Sequence, residues 1–236
     1  MFQDLKQIYG KPLHASDGDI GHVQDFYFDD KTWAVRYVVA DTGAWLAGRQ
    51  VLLSPHAFGR FHQVEGLLSV NLTRKEIEDS PSIESHQPVS RQYEEEYHRY
   101  YGWPCYWEGG GLWGANTFPI LEVPVQSSPL EPNQASSPLT GSTDTHLRST
   151  LNVSGYRLEA SDGKMGHVAN FMMDTQSWAI IRLVIKTGWL PGRDVEIPTD
   201  KIERISYDDS TVFVNLTGKI VERSPTHRQS AGATVG

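Results

Sequence analysis

The chain has a single cysteine, Cys105. It therefore has no intrachain disulfide, and one thiol cannot build a zinc knuckle. No apolar run approaches the ~20 residues of a membrane-spanning helix. The first ten residues, MFQDLKQIYG, lack the basic-then-apolar order of a secretion signal. There is no basic stripe: the net charge is −8. Phosphate contacts supply most non-specific nucleic-acid affinity, so direct RNA or DNA binding is disfavoured. These absences lead to the expectation of a cytoplasmic chain, with docking on the cytoplasmic side of a membrane complex equally compatible.

What the sequence does have is a copy of itself. ASDGDIGHV (Ala15 to Val23) returns as ASDGKMGHV (Ala160 to Val168). At the same offset of 145, Phe26 meets Phe171, Asp29 meets Asp174 and Trp33 meets Trp178. TGAWLAGR (Thr42 to Arg49) meets TGWLPGR (Thr187 to Arg193) with one residue lost, and VNLTRKEIEDSP (from Val70) meets VNLTGKIVERSP (from Val214) at offset 144. A tandem duplication of a unit of roughly seventy residues predicts two similar domains. The boundaries read as 1–87 for the first, 88–145 for the connection, 146–227 for the second and 228–236 for a disordered tail.

Each unit reads as mainly β, from period-two runs bounded by turn residues. Candidate strands in the first are Lys11–Ala15, Ile20–Asp29, Thr32–Asp41, Gln50–Ser54, Arg60–Val64 and Leu68–Leu72. Ala179–Ile185 is more continuously apolar, as for a strand covered on both faces or at an interface. Six short strands in so small a unit favour a closed barrel, which leaves no exposed edge. A short helix follows the last strand, with Thr73 as cap and Glu76 three residues on in capping-box spacing. The second copy has Ile220 at that place, so only the cap is expected there.

The connection is different in kind. Residues 90–101, SRQYEEEYHRYY, predict a helix with Tyr93, Tyr97 and Tyr100 or Tyr101 on one face and Glu94 to Glu96 early, where the helix dipole favours acids. A Trp-, Gly- and Pro-rich stretch follows, and from Val125 to Thr145 the composition is that of a linker.

Few motifs carry chemistry. Val38-Val39-Ala40-Asp41-Thr42-Gly43 has the look of an aspartic protease motif, but that chemistry needs two carboxylates sharing a proton. The second copy offers Lys186 where the partner should be, so only a homodimer pairing two Asp41 side chains would serve. The alternative is structural: Asp41 and Thr42 satisfy backbone groups and Gly43 takes a positive φ. Ser16, Ser161, His22 and His167 lack any nucleophile-elbow context, and the histidines show no metal-ligand spacing. No catalytic residue, cofactor or metal site is expected. Two features have the character of interaction surfaces. One is the loop pair Trp45-Leu46 with Arg49 and Trp189-Leu190 with Arg193, for which capping the end of a barrel is the competing reading. The other is the aromatic stretch of Trp103, Trp107 and Trp113, which should pack between the units or against a partner.

Together, Leu13 to Val23, Phe26 to Asp30, Trp33 to Gly43 and Trp45 to Pro55 resemble a PRC-barrel domain, the β-barrel of the photosynthetic reaction centre H subunit and of the ribosome maturation factor RimM. The second unit carries the same set with losses at Lys164 and Lys186. Pro88–Gln92, Tyr100–Pro104 and His146–Thr150 resemble segments of bacterial proteins with two such barrels. The resemblance implies two tandem PRC-type barrels and a non-enzymatic adaptor, docking on a larger complex of membrane or electron-transport kind. The partners expected are proteins: a second copy, the other barrel of the chain, or a membrane complex. Two rival readings stand beside it, a ribosome or RNA-processing accessory factor of RimM type and a dimeric aspartic protease through Asp41.

Overall fold

A computed structural model describes residues 1–58, 63–64, 67–82, 89–119, 146–187 and 194–227. The linker from residue 120, the tail from 228, most of the Arg60–Val64 strand candidate and the loop 188–193 lie outside the described residues.

The chain is mainly β and forms two mixed sheets. The first half contributes β1 (Phe2–Asp4), β2 (Pro12–Ala15), β3 (Gly18–Asp29), β4 (Val35–Asp41), β5 (Gln50–Leu53), β6 (Gln63–Val64) and β7 (Leu67–Ser69), then the helix α1 (Arg74–Glu78). The connection supplies α2 (Arg91–Tyr101). The second half gives β8 (Leu147–Ser149), α3 (Thr150–Val153), β9 (Arg157–Ala160), β10 (Gly163–Asp174), β11 (Ile180–Lys186), β12 (Asp194–Pro198), β13 (Ile202–Ser206), β14 (Thr211–Val214) and α4 (Gly218–Arg223). The sheet orders are β5-β4-β3-β2-β7-β6 and β12-β11-β10-β9-β14-β13, the same path twice. β7 lies parallel to β2, and β14 parallel to β9.

Neither ladder closes among the described residues, against the expectation of a closed barrel: the first path ends at β5 and β6, and the second at β12 and β13. In the first half the described part of the last hairpin is two residues of β6 and three of β7. Two of the end strands, β5 and β12, are covered by other means, which protects an exposed edge. On β5, the Tyr97 hydroxyl donates to Leu52 O at 2.8 Å and accepts from Ser54 N at 3.1 Å. On β12, Glu196 N donates to Pro225 O at 2.9 Å and His227 N to Asp194 O at 2.8 Å.

The third candidate strand, Thr32–Asp41, begins later than expected, at Val35. Residues 30–33 are instead a turn, because Asp29 collects the amides of Lys31 and Thr32 and Trp33 takes φ +61°. Trp178 repeats this at φ +57°. The most thoroughly covered strand is β4, buried from Val35 to Ala40 and capped by α2, whereas β11 is partly exposed at Ile181 and Arg182.

β1 and β8 had no sequence reading, and they change the architecture. β3 pairs with β2 over Gly18–His22, and the edge beyond is filled by β8, from the other half. β10 pairs with β9 over Gly163–His167, and its remaining edge is filled by β1. The halves thus exchange lead strands. Between them Val35 N donates to Trp178 O and Ile180 N to Trp33 O, both at 2.8 Å, about the bridge Ala34–Ala179. Phe28 against Phe171 (6.1 Å) and Phe58 against Trp178 (5.1 Å) make the core continuous across the halves.

Candidate functional site: the repeated signature and the aromatic clasp

The repeated phrase is built the same way twice. Ser16 N and Oγ both donate to Leu72 O, and Ser161 N and Oγ to Leu216 O. Asp17 accepts from Arg74 N at 2.7 Å and Asp162 from Gly218 N at 2.6 Å, so each aspartate caps the helix after the last strand. Thr73 and Glu76 complete a capping box on α1. Thr217 makes no side-chain cap bond, so the cap kept in the second copy comes from Asp162 rather than the expected threonine. The change of Asp19 to Lys164 is answered across the hairpin: Asp19 lies opposite His14, at 2.7 Å, and Lys164 opposite Glu159. Asp19 thus meets a hydrogen-bonding imidazole, and Lys164 faces the opposite charge of Glu159, a favourable cross-strand pair. His22 and His167 are exposed strand residues.

Trp45 and Leu46 are half-buried, and the Arg74 guanidinium lies 4.6 Å from the Trp45 ring centroid. Arg49 donates to Glu78 O (2.9 Å) and Ser80 O (2.7 Å), satisfying carbonyls at the end of α1. Trp189, Leu190 and Arg193 lie outside the described residues. Trp103 and Trp113 are buried, and Trp107 is half-buried under Arg91 at 4.2 Å. Trp113 reaches across the halves and donates to Ser177 O at 2.8 Å.

Beneath this aromatic clasp lies a cluster that the sequence reading did not single out. Glu94 on α2 is fully buried. Its Oε1 accepts from Tyr37 (3.1 Å) and Tyr106 (2.6 Å), and its Oε2 lies 3.1 Å from Arg91 Nη1 and 3.0 Å from His146 Nε2. One carboxylate therefore gathers a strand of the first sheet, the aromatic loop, its own helix and the lead segment of the second half. Buried Arg36 adds a second tie, with Nη1 donating to Leu112 O at 2.6 Å and the guanidinium 3.8 Å from the Tyr106 ring centroid. The tyrosine face of α2 was expected from sequence; that Glu94 and His98, four apart beside Tyr97, share its buried side was not. Burial drives the Tyr37, Tyr97 and Tyr106 hydroxyls well above the ordinary phenol range, with Glu94 adding to the effect for Tyr37 and Tyr106. Oε1 accepts two hydrogen bonds, whereas Oε2 makes none and is held by the proximity of Arg91 and His146, so the cluster acts chemically as a fastening. Among the described residues no group of three or more His, Cys, Asp or Glu side chains is placed to hold a metal ion.

His56 packs against Trp103 (5.6 Å) and Trp113 (5.3 Å), and His98 donates to or accepts at Tyr37. Burial pulls both imidazoles down to about 4. In the unfolded chain a histidine takes up its proton near 6.5. Below that pH the unfolded state binds protons that the folded state refuses, so these groups contribute stability that is full above pH 6.5 and lost as pH falls toward 4. Between pH 7 and pH 4.5 the urea-unfolding free energy should drop by roughly 2–5 kcal/mol. His98→Gln should flatten that slope, and an unchanged slope would remove the histidines as its cause.

Compared with known proteins, the chain matches no family model and no curated protein. No described helix is long and apolar enough to cross a membrane.

Proposed function

We propose that the chain is a non-enzymatic protein-interaction module of PRC-barrel type, two barrel-like units fused into one adaptor that docks on a larger complex of membrane or electron-transport kind. The observation that carries this reading is the use made of the repeated polar residues. Ser16, Asp17, Ser161 and Asp162 all spend their side chains on backbone groups of their own unit, in the same way in both copies. Duplication has preserved a scaffold, and a scaffold kept in duplicate serves binding. The half-buried Trp45-Leu46 loop is the surface we assign to the partner, an aromatic anchor beside arginine being what interfaces favour.

Capture from a native lysate at physiological protein levels, with Trp45→Ala run beside the parent, tests the proposal. A partner held by the parent and lost by a folded Trp45→Ala supports it, and no partner at all counts against it. The ribosomal alternative predicts co-sedimentation with a ribosomal subunit. The protease alternative rests on Asp41, which is exposed and accepts from Gly43 N at 2.9 Å. Asp41→Asn should change stability by about 0.5 kcal/mol or less and remove no peptide-cleaving activity. Cleavage present in the parent and abolished in this variant would reinstate the protease.

A further inference from the structure

The exchanged strands seat in registers that correspond residue for residue. Phe2, Gln3 and Asp4 face Asp174, Met173 and Met172, while Leu147, Arg148 and Ser149 face Asp29, Phe28 and Tyr27, all shifted by 145. Each lead strand runs into a short helical turn, and the second residue of that turn donates its backbone N–H to the same place on the receiving strand. Lys6 N donates to Asn170 Oδ1 at 3.1 Å, and Leu151 N to Asp25 Oδ1 at 3.2 Å. This is the geometry of an isologous two-fold interface, carried out inside one chain.

The chemistry at the centre of the two contacts is not the same. In one, Asn170 Nδ2 donates to the Asp4 carboxylate. In the other, the Ser149 hydroxyl donates to the Asp25 carboxylate, with Thr150 Oγ1 donating at 2.8 Å. Each contact holds one carboxylate faced by neutral side-chain donors, one at Asp4 and two at Asp25, but the carboxylate rides on the lead strand in one and on the receiving strand in the other. Asp4, Asp25 and Asn170 are all buried. Two first halves paired in this geometry would press Asp4 against Asp25 at both contacts, and buried like charges cannot both stay ionised without cost. Two second halves would place Ser149 against Asn170 and lose both charge-assisted hydrogen bonds.

We propose that the placement of these two carboxylates is a recognition code: the receiving strand of each half accepts the lead strand of the other half and rejects that of its own kind. The surface described by β3 and Asp25 fits Ser149 and its turn, and the surface of β10 and Asn170 fits Asp4 and its turn. Asp4 also lies 3.3 Å from His227 Nε2, so the contact at Asp25 is the cleaner one to alter.

The full-length chain tests this in two stages. Ser149→Asp puts two carboxylates at one buried contact and should lower the thermal midpoint by about 5–10 °C. Adding Asp25→Asn gives that contact the same carboxylate-on-amide pair as Asp4 on Asn170, with Thr150 still beside it, and should recover most of the loss. In the second stage a protease site is inserted between residues 130 and 131, and the folded chain is cleaved, warmed to permit exchange and weighed by native mass spectrometry. The parent should hold one first half with one second half. The Ser149→Asp/Asp25→Asn chain should yield first–first and second–second pairs as well, because both halves then carry the same code. Same-half pairs or separated halves from the parent, no recovery in the double variant, or a recovered double variant without same-half pairs would each overturn the proposal.

Discussion

Replacing Glu94 by alanine should cost about 3–5 kcal/mol of unfolding free energy, the range for removing one partner from a buried ion pair. The size follows from what is left behind. The Tyr37 and Tyr106 hydroxyls lose the oxygen they donate to, and His146, buried, and Arg91, partly exposed, lose their carboxylate. A buried donor without an acceptor costs about 1–3 kcal/mol, more when charged. Glu94→Gln keeps one acceptor oxygen and the side-chain volume, so about half that loss is expected. Glu95→Ala and Glu96→Ala, on the exposed side of the same helix, should stay within about 0.5 kcal/mol. Urea unfolding followed by tryptophan fluorescence reads all four, because Trp103 and Trp113 pack within the clasp that Glu94 fastens. Equal losses at Glu94 and Glu95 would mean that the cluster is not a fastening.

The same residue shows how far the sequence could be read. Helix α2 and its tyrosine face follow from composition and 3.6-residue spacing, and the structure has them. Three successive glutamates read as acids placed early for the helix dipole, and Glu95 and Glu96 are exposed there. Glu94 departs because its partners, Tyr37, Tyr106 and His146, come from three distant segments, and no local pattern brings those together. The same holds for β1 and β8. Each is three residues long, too short for a period to register, and each completes a strand edge in the opposite copy. The duplication was legible because it is written in matching letters. The exchange was not, because a strand's choice of partner is decided by the edge left vacant on β3 and β10. The closed barrel failed for a related reason: the count of strands argued for closure, but the edge of β5 finds a tyrosine hydroxyl instead.

Where geometry rather than partnership decides, the sequence was a good guide, and the second glycine of the repeated phrase gives the sharpest expectation. Gly21→Ala and Gly166→Ala should each cost about 3 kcal/mol or more. Gly21 sits at a register shift between β2 and β3, with φ +123°, and a Cβ there would stand 1.9 Å from Asp41 O. Gly166 repeats the arrangement with φ +143° and a Cβ 2.2 Å from Lys186 O. Both obstacles are backbone carbonyls at the end of β4 or β11, which cannot swing aside as a side chain would. Gly43 isolates that close approach from the backbone term. It too has a positive φ, +53°, but a Cβ there meets nothing within 4 Å, so Gly43→Ala should cost only about 1–2 kcal/mol. Thermal unfolding of the three variants makes the comparison. If Gly21→Ala loses no more than Gly43→Ala, positive φ alone explains the glycines and the packing of β3 against the end of β4 is looser than the structure has it. If both signature glycines lose far more, the phrase persists in two copies because a carbonyl occupies the space where any other side chain would begin.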